Sequence, residues 1–349
     1  MIATSGTRYS LIVAWGLGWV KFGLILYNRD MEQKMTERPV LTSDTPTYLV
    51  VNPGSRSGSD AYPLLVRRLS KTLNLVGHFL PRTREEFLDI MGSGLEQGIV
   101  RFCIGGGDGT LSLAANVLAH TSGVLATIPL GTGNTFALNL GLEPGPQAME
   151  SQGWNGSVEA FDLGEVETSD GRRLFLNGAL MGITEQLVTL LTPEAKKRLG
   201  WGAWPLQVHG ALRGSLPFQV HLEYLGRHLS YRTRQLVVAK GRHLAGPIFS
   251  TPEAHHQDGQ LHVFSLGTHD WWSLIRVSSL LLAGRHINDR AAHYCVAPEV
   301  RISTEPPLAI DLDGDLYLKT PAVFRVQRQA LWVLQGPQAR ARQPVRGGL

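Results

Sequence analysis

A chain of 349 residues with 43% hydrophobic content is long enough to bury two cores, and no block of it is repetitive enough to suggest disorder or a repeat array. The net charge of +4 suits an anionic membrane surface or a polyphosphate ligand, as it would many enzymes, and no nucleic-acid partner is expected. Two cysteines, Cys103 and Cys295, lack metal-ligand spacing and cannot form a disulfide framework, which points to a reducing cytoplasm. Residues 1–45 read as an arm. Its apolar stretch at 11–27 is broken by Lys21 and glycines and falls short of the ~20 residues of a spanning helix, so the working chain is expected to begin near Met31 or Met35. From residue 47 onward short β-rich runs alternate with helical patterns: strands at 47–52, 76–80, 99–104 and 124–128, helices around 64–69, 85–91 (capped by Thr83) and 111–118. That alternation predicts a doubly wound α/β domain with a parallel sheet over residues 46–153. After about 153 the texture changes to β-like runs at 158–161, 174–177, 218–222, 236–239, 261–265, 308–312 and 322–326, interrupted by helical insertions at 185–191 and 271–282. An antiparallel β-sandwich is expected over 154–338, with 339–349 as a tail and a binding cleft between the two domains.

Four motifs carry chemistry. GGGDGT, residues 105–110, stands between a buried strand and a helix start, where successive backbone amides can face one concavity and hold an anion. Asp108 beside phosphates would need a divalent cation between; read alone, the same letters also describe a tight turn with an Asp helix cap. PLGTGNT, residues 129–135, follows the next strand in the same way, so both loops fall at the carboxyl edge of one sheet, with Gly131, Thr132 and Asn134 offered to phosphate. PEAHHQDGQL, residues 252–261, contains Asp258-Gly259, ordinary hairpin letters. AIDLDGDLYL, residues 309–318, alternates Asp311, Asp313 and Asp315, which would share one face of a strand unless Gly314 turns the chain. Clustered carboxylates raise one another's pKa, as a general base near neutral pH requires; an exposed Asp-Gly turn is the plainer alternative.

These elements in this order resemble the diacylglycerol kinase catalytic-domain family, which includes bacterial lipid kinases and the sphingosine and ceramide kinases. The resemblance runs from about residue 48 to 334 and takes in VVNPGSRSG, GGGDGT, PLGTGNTFA, FLNGALMGI, KKRLG, PEAHHQDGQL and the DGD at 313–315. GGDGT is shared with NAD kinases, related in fold; GTGN with the later DGxL is more specific. The resemblance implies an ATP-dependent lipid kinase acting on a hydroxyl of diacylglycerol or a similar lipid, cytoplasmic and peripheral at the inner membrane surface. ATP would contact Asn52, Thr83, Gly105, Gly106, Gly107, Asp108, Gly109, Thr110, Gly131, Thr132 and Asn134. A structural Mg²⁺ would be held by Asp258 with backbone oxygens of His255 and Gln260, and the general base would fall on Asp313 with Asp315 beside it. Thr135 and Leu138 stand where the family often has Asp and Arg, and Lys240 where Asn is common, leaving Lys240 a phosphate contact or an exposed charge. The acyl chain would find its groove among Leu187, Leu190, Leu191, Trp201, Trp204 and Leu206, near Lys196, Lys197 and Arg198, or at Trp271 and Trp272. A homodimer is left open. The competing readings are an NAD kinase-like enzyme with a soluble substrate and a catalytically weak lipid or nucleotide binder.

Overall fold

The computed structural model describes residues 37–143, 156–182, 216–245, 253–265 and 292–335, with isolated positions between them. The first 36 residues, the division near 153, both helical insertions, the Leu and Trp groove with its basic neighbours, and the tail lie outside the described residues.

The first half alternates strands and helices: β1 (Thr47–Val51), α1 (Gly58–Thr72), β2 (Leu75–Phe79), α2 (Arg84–Glu96), β3 (Arg101–Gly106), α3 (Asp108–Leu118), β4 (Val124–Pro129) and the short α4 (Thr135–Asn139). The four strands pair in parallel in the order β2-β1-β3-β4. Both faces of β1 are buried because each has its own cover. Leu49 and Val51 pack with Leu65 and Leu69 of α1, while Tyr48 and Val50 pack with Met91 of α2 and Leu111 of α3. Each such fully buried leucine contributes roughly 2 kcal/mol of burial. The doubly wound expectation is met.

The second half is antiparallel: β5 (Ser157–Thr168), β6 (Gly171–Phe175), β7 (Gly178–Gly182), β8 (Phe218–Tyr224), β9 (Arg227–Thr233), β10 (Gln235–Ala239), β11 (His243–Ala245), β12 (Ile248–Phe249), β13 (Leu261–Ser265), β14 (His293–Ala297), β15 (Glu299–Glu305), β16 (Ala309–Leu312), β17 (Asp315–Lys319) and β18 (Ala322–Gln335). A six-stranded sheet in the order β14-β13-β10-β7-β16-β17 faces the antiparallel part of a ten-stranded one. Phe324, Val220, Ile302 and Val166 from one sheet meet Leu236, Val263, Met181 and Ile310 from the other in a common core, which makes the pair a sandwich.

The two halves share a sheet. The end of β18 pairs in parallel with β4 (Trp332 with Val124, Val333 with Leu125) and antiparallel with β5. Its first part pairs with β15, and a register shift between Gln327 and Leu331, with Gln329 at φ 49°, lets one strand serve both halves.

Candidate active site

The two glycine loops lie side by side because β3 and β4 are neighbours in register, with Gly105 opposite Ile128 and Gly106 opposite Pro129. The Leu130 amide donates to the Gly106 carbonyl at 2.9 Å, closing the loops together. Contact between them is backbone on backbone: a Cβ on Gly131 would fall 2.4 Å from the Gly107 Cα. Gly105 and Gly106 end β3 beneath the cleft, whereas Gly107, Gly109 and Thr110 line it with Gly131 and Thr132. The first-turn amides of α3 have no carbonyl partner inside the helix and suit an anion there.

Two residues expected to face phosphate turn instead toward the loops. Asn134, in the left-handed region at φ 50°, accepts the Gly131 amide at 2.9 Å and donates to the Gly131 carbonyl at 2.9 Å, so its side-chain amide is spent on its own loop. Asp108 accepts the amides of Thr135 (3.0 Å) and Phe136 (2.9 Å), capping α4 and tying the first glycine loop to the second. Burial pushes its carboxyl above the usual range against the pull of those amides. The structure thus gives Asp108 a bracing role between the two glycine loops.

The cleft above these loops encloses about 590 Å³ and includes Asn52, Thr83 and Asp315 in its lining. The Asn52 amide donates to the Gly105 carbonyl at 2.8 Å, and its side chain donates to Thr110 Oγ1 at 2.9 Å while accepting the Gly54 amide at 2.8 Å. Thr83 caps α2 by accepting the Glu86 amide at 3.1 Å, and the Glu86 carboxylate takes the Arg82 amide at 2.7 Å in return. Arg56, Arg82 and Arg84 also line the cleft and were not singled out in the sequence, although Arg82 and Arg84 flank Thr83 and Arg56 sits within PGSRSG. Guanidinium groups at the rim of an amide-lined cleft suit a polyphosphate.

The three aspartates do not lie along one strand. β16 and β17 form a hairpin whose two-residue turn is Asp313-Gly314, at φ 52° and φ 102°, so Asp311 and Asp315 belong to opposite strands. Asp311 is buried and accepts the Gly314 amide at 2.8 Å. Asp313 turns inward: its two oxygens accept the amides of Leu176 (2.7 Å) and Asn177 (2.8 Å). Burial raises its carboxyl to about 6 against those hydrogen bonds. Asp315 turns to the cleft, with Oδ2 3.2 Å from where a Cβ on Gly109 would lie. A side chain at 109 would therefore separate this carboxylate from the first glycine loop.

The expected magnesium site is built differently. Lys240, next after β10, is fully buried, which removes both the phosphate contact and the exposed charge considered for it. Its Nζ donates to the His255 carbonyl and to Asp258 Oδ1, each at 2.9 Å, and lies 3.5 Å from Asp162 Oδ2. The His255 carbonyl and the Asp258 carboxylate are two of the groups assigned to Mg²⁺. Gln260 is tied in through its amide, which donates to Asp258 Oδ1 at 2.8 Å. Asp258 Oδ2 accepts the His255 amide at 3.0 Å and lies 2.9 Å from His262 Nε2. Burial alone would raise the Asp258 carboxyl, but the His262 contact and the Lys240 charge outweigh it and hold the group well below the usual carboxylate range. An ammonium and a divalent cation cannot share these oxygens, so the metal does not fit here. Among the described residues no group of three or more His, Cys, Asp or Glu could hold a metal ion.

A cleft that sets backbone amides and arginines around one exposed carboxylate has the makings of a phosphotransferase. The diacylglycerol kinase catalytic domain matches residues 46–166, and the YegS C-terminal NAD kinase beta sandwich-like domain matches residues 185–335. The chain is 31% identical over 244 residues to a Pseudomonas putida protein named "Probable lipid kinase YegS-like", covering 69% of this chain and 79% of that one. It is 28% identical over 223 residues to a diacylglycerol kinase of Bacillus subtilis, covering 63% and 72% respectively. The fold also matches a crystal structure titled as a diacylglycerol kinase of Bacillus anthracis, with a TM-score of 0.68 at 21% identity over 85% of this chain and 99% of that one. The chain belongs to the diacylglycerol kinase and YegS-like family of bacterial lipid kinases, and it is a lipid kinase. Membership implies ATP as phosphate donor and a lipid as acceptor.

Proposed function

We propose that the protein transfers the γ-phosphoryl group of ATP to a hydroxyl of diacylglycerol or a similarly headed membrane lipid, with Asp315 as general base. The observation that carries this reading is the position of Asp315, whose carboxylate stands over Gly109 at the edge of the amide-lined cleft. The cleft, at about 590 Å³, lies within the size range of nucleotide pockets. Gly107, Gly109, Thr110, Gly131 and Thr132 would hold the phosphates, Asn52 would keep Thr110 in place, and Arg56, Arg82 and Arg84 would balance their charge. Bound there, the nucleotide would supply the phosphoryl group, and a Mg²⁺ carried with it would offset the charge of its phosphates. Asp315 takes the proton from the lipid hydroxyl as that oxygen attacks, and Asp313 anchors the hairpin that carries it. The raised carboxyl of Asp313 favours a second assignment, with Asp313 itself as base; its three amide partners, Leu176, Asn177 and Gly178, count against it.

We place the enzyme at the cytoplasmic face of a membrane as a peripheral protein. Among the described residues no helix is long and apolar enough to cross one. The test is a labelled-ATP transfer assay against a lipid panel in mixed micelles, with NAD as control. Asp315→Asn is expected to lower kcat by roughly 100-fold or more while leaving ATP affinity near normal. Full turnover in Asp315→Asn with loss in Asp313→Asn would reverse the two roles, and label on NAD would overturn the lipid as acceptor.

A further inference from the structure

We propose that Lys240 is a built-in cation standing in for a structural divalent metal ion, so that the loop at residues 253–260 folds in this kinase without metal. The inference holds whichever aspartate is the base. Two carboxylates, Asp162 and Asp258, converge here with the His255 carbonyl, the kind of hard oxygen set a magnesium or calcium ion would take. Left to themselves they would repel one another and pay heavily for burial. The Lys240 ammonium has three N–H donors and faces three acceptors, at 2.9, 2.9 and 3.5 Å. Mg²⁺ requires six ligands near 2.0–2.1 Å, and a fully buried side chain whose Nζ already sits among the oxygens leaves no room for them.

The remaining valences of the two carboxylates are taken by the chain itself. Asp162 Oδ2 accepts the Gly259 amide at 2.8 Å and Oδ1 the Gln329 amide at 2.9 Å. Lys240 therefore joins β5, the end of β10 and the loop into one cluster, in which a single ammonium offsets part of the charge of two carboxylates. That cluster reaches the active site. The Asp162 amide donates to the His256 carbonyl at 2.7 Å, and the buried His256 ring lies 3.1 Å from the Leu176 carbonyl. The amides of Leu176 and Asn177 in turn hold Asp313. Lys240 is thus a positioning residue, linked by four successive contacts to Asp313 at the turn of the hairpin that bears Asp315.

The experiment is thermal melting of the nucleotide-free protein in EDTA and in millimolar Mg²⁺ or Mn²⁺, for the natural chain, Lys240→Asn and Lys240→Met. The natural chain is expected to melt at the same temperature in all three conditions. Lys240→Asn, which opens the oxygen set and adds a further ligand, is expected to melt roughly 5–10 °C lower in EDTA and to recover with divalent metal. Lys240→Met is expected to fall without recovering. A natural chain that gains melting temperature from Mg²⁺ without nucleotide overturns the proposal, and so does a Lys240→Asn protein indifferent to divalent ions. Should Lys240→Asn fail to fold, the natural chain decides alone, because the proposal requires its melting to ignore the metal.

Discussion

Asp313 and Asp315 stand two residues apart with their carboxylates in opposite settings, one against backbone amides and one at a cleft. That difference has a measurable sign. Burial raises the Asp313 carboxyl from its ordinary 3.8 to about 6, so between those values the native protein holds a proton that the unfolded chain releases. Asp313 therefore favours the folded state most at low pH, and its contribution falls as pH rises through about 6. In urea titrations the stability of the natural chain, less that of Asp313→Asn, is expected to drop from about pH 4 to about pH 6 and to stay level above. A rise over the same window would mean that the amide hydrogen bonds outweigh burial. The residues at this scale were legible by type more than by direction. Asn52, Gly107, Thr110 and Thr132 line the cleft as their motifs suggested. Asn134 and Asp108 share those motifs yet bond to the loops, since a polar letter in a turn does not say whether it serves a ligand or the turn itself.

Among the elements, α2 brings three cleft residues to one place through its start. Thr83 and Glu86 form a capping pair, and Arg82 and Arg84 flank the cap. Thr83→Ala is expected to cost about 1 kcal/mol of stability by chemical denaturation, and to weaken ATP binding as the flanking arginines lose their fixed origin. The cap was visible in the sequence because its letters are local. The hairpin of β16 and β17 was visible only as one of two alternatives, because the same alternating aspartates describe either a strand or an Asp-Gly turn at Gly314. β9 escaped for another reason: its sequence RHLSYRT is mostly exposed or half-buried and carries no apolar run to announce it. β18 was seen at its first five residues only, since the polar letters Gln327, Arg328 and Gln329 at the kink separate them from the apolar run at 330–334 that continues the strand.

At the scale of the whole molecule, the nucleotide-binding sheet is incomplete without the last strand. Leu331 and Val333 of β18 pack in the same core as Phe102 and Leu125, and Leu334 joins Leu49 and Leu65 on the opposite face. A fragment of residues 37–153 is expected to melt without cooperativity or to aggregate, while the full chain unfolds with a sharp transition; calorimetry of the two distinguishes them. A fragment that melts as sharply as the whole would show that β4 tolerates an open edge. The same pairing sets an order of events during synthesis. The ribosome delivers β1 to β4 first, and the strand that closes their sheet emerges only some two hundred residues later, so the glycine loops wait meanwhile on a naked edge. Nucleotide binding is therefore expected to mature only once β18 has emerged, and a nascent chain stalled before it is a natural client for chaperones.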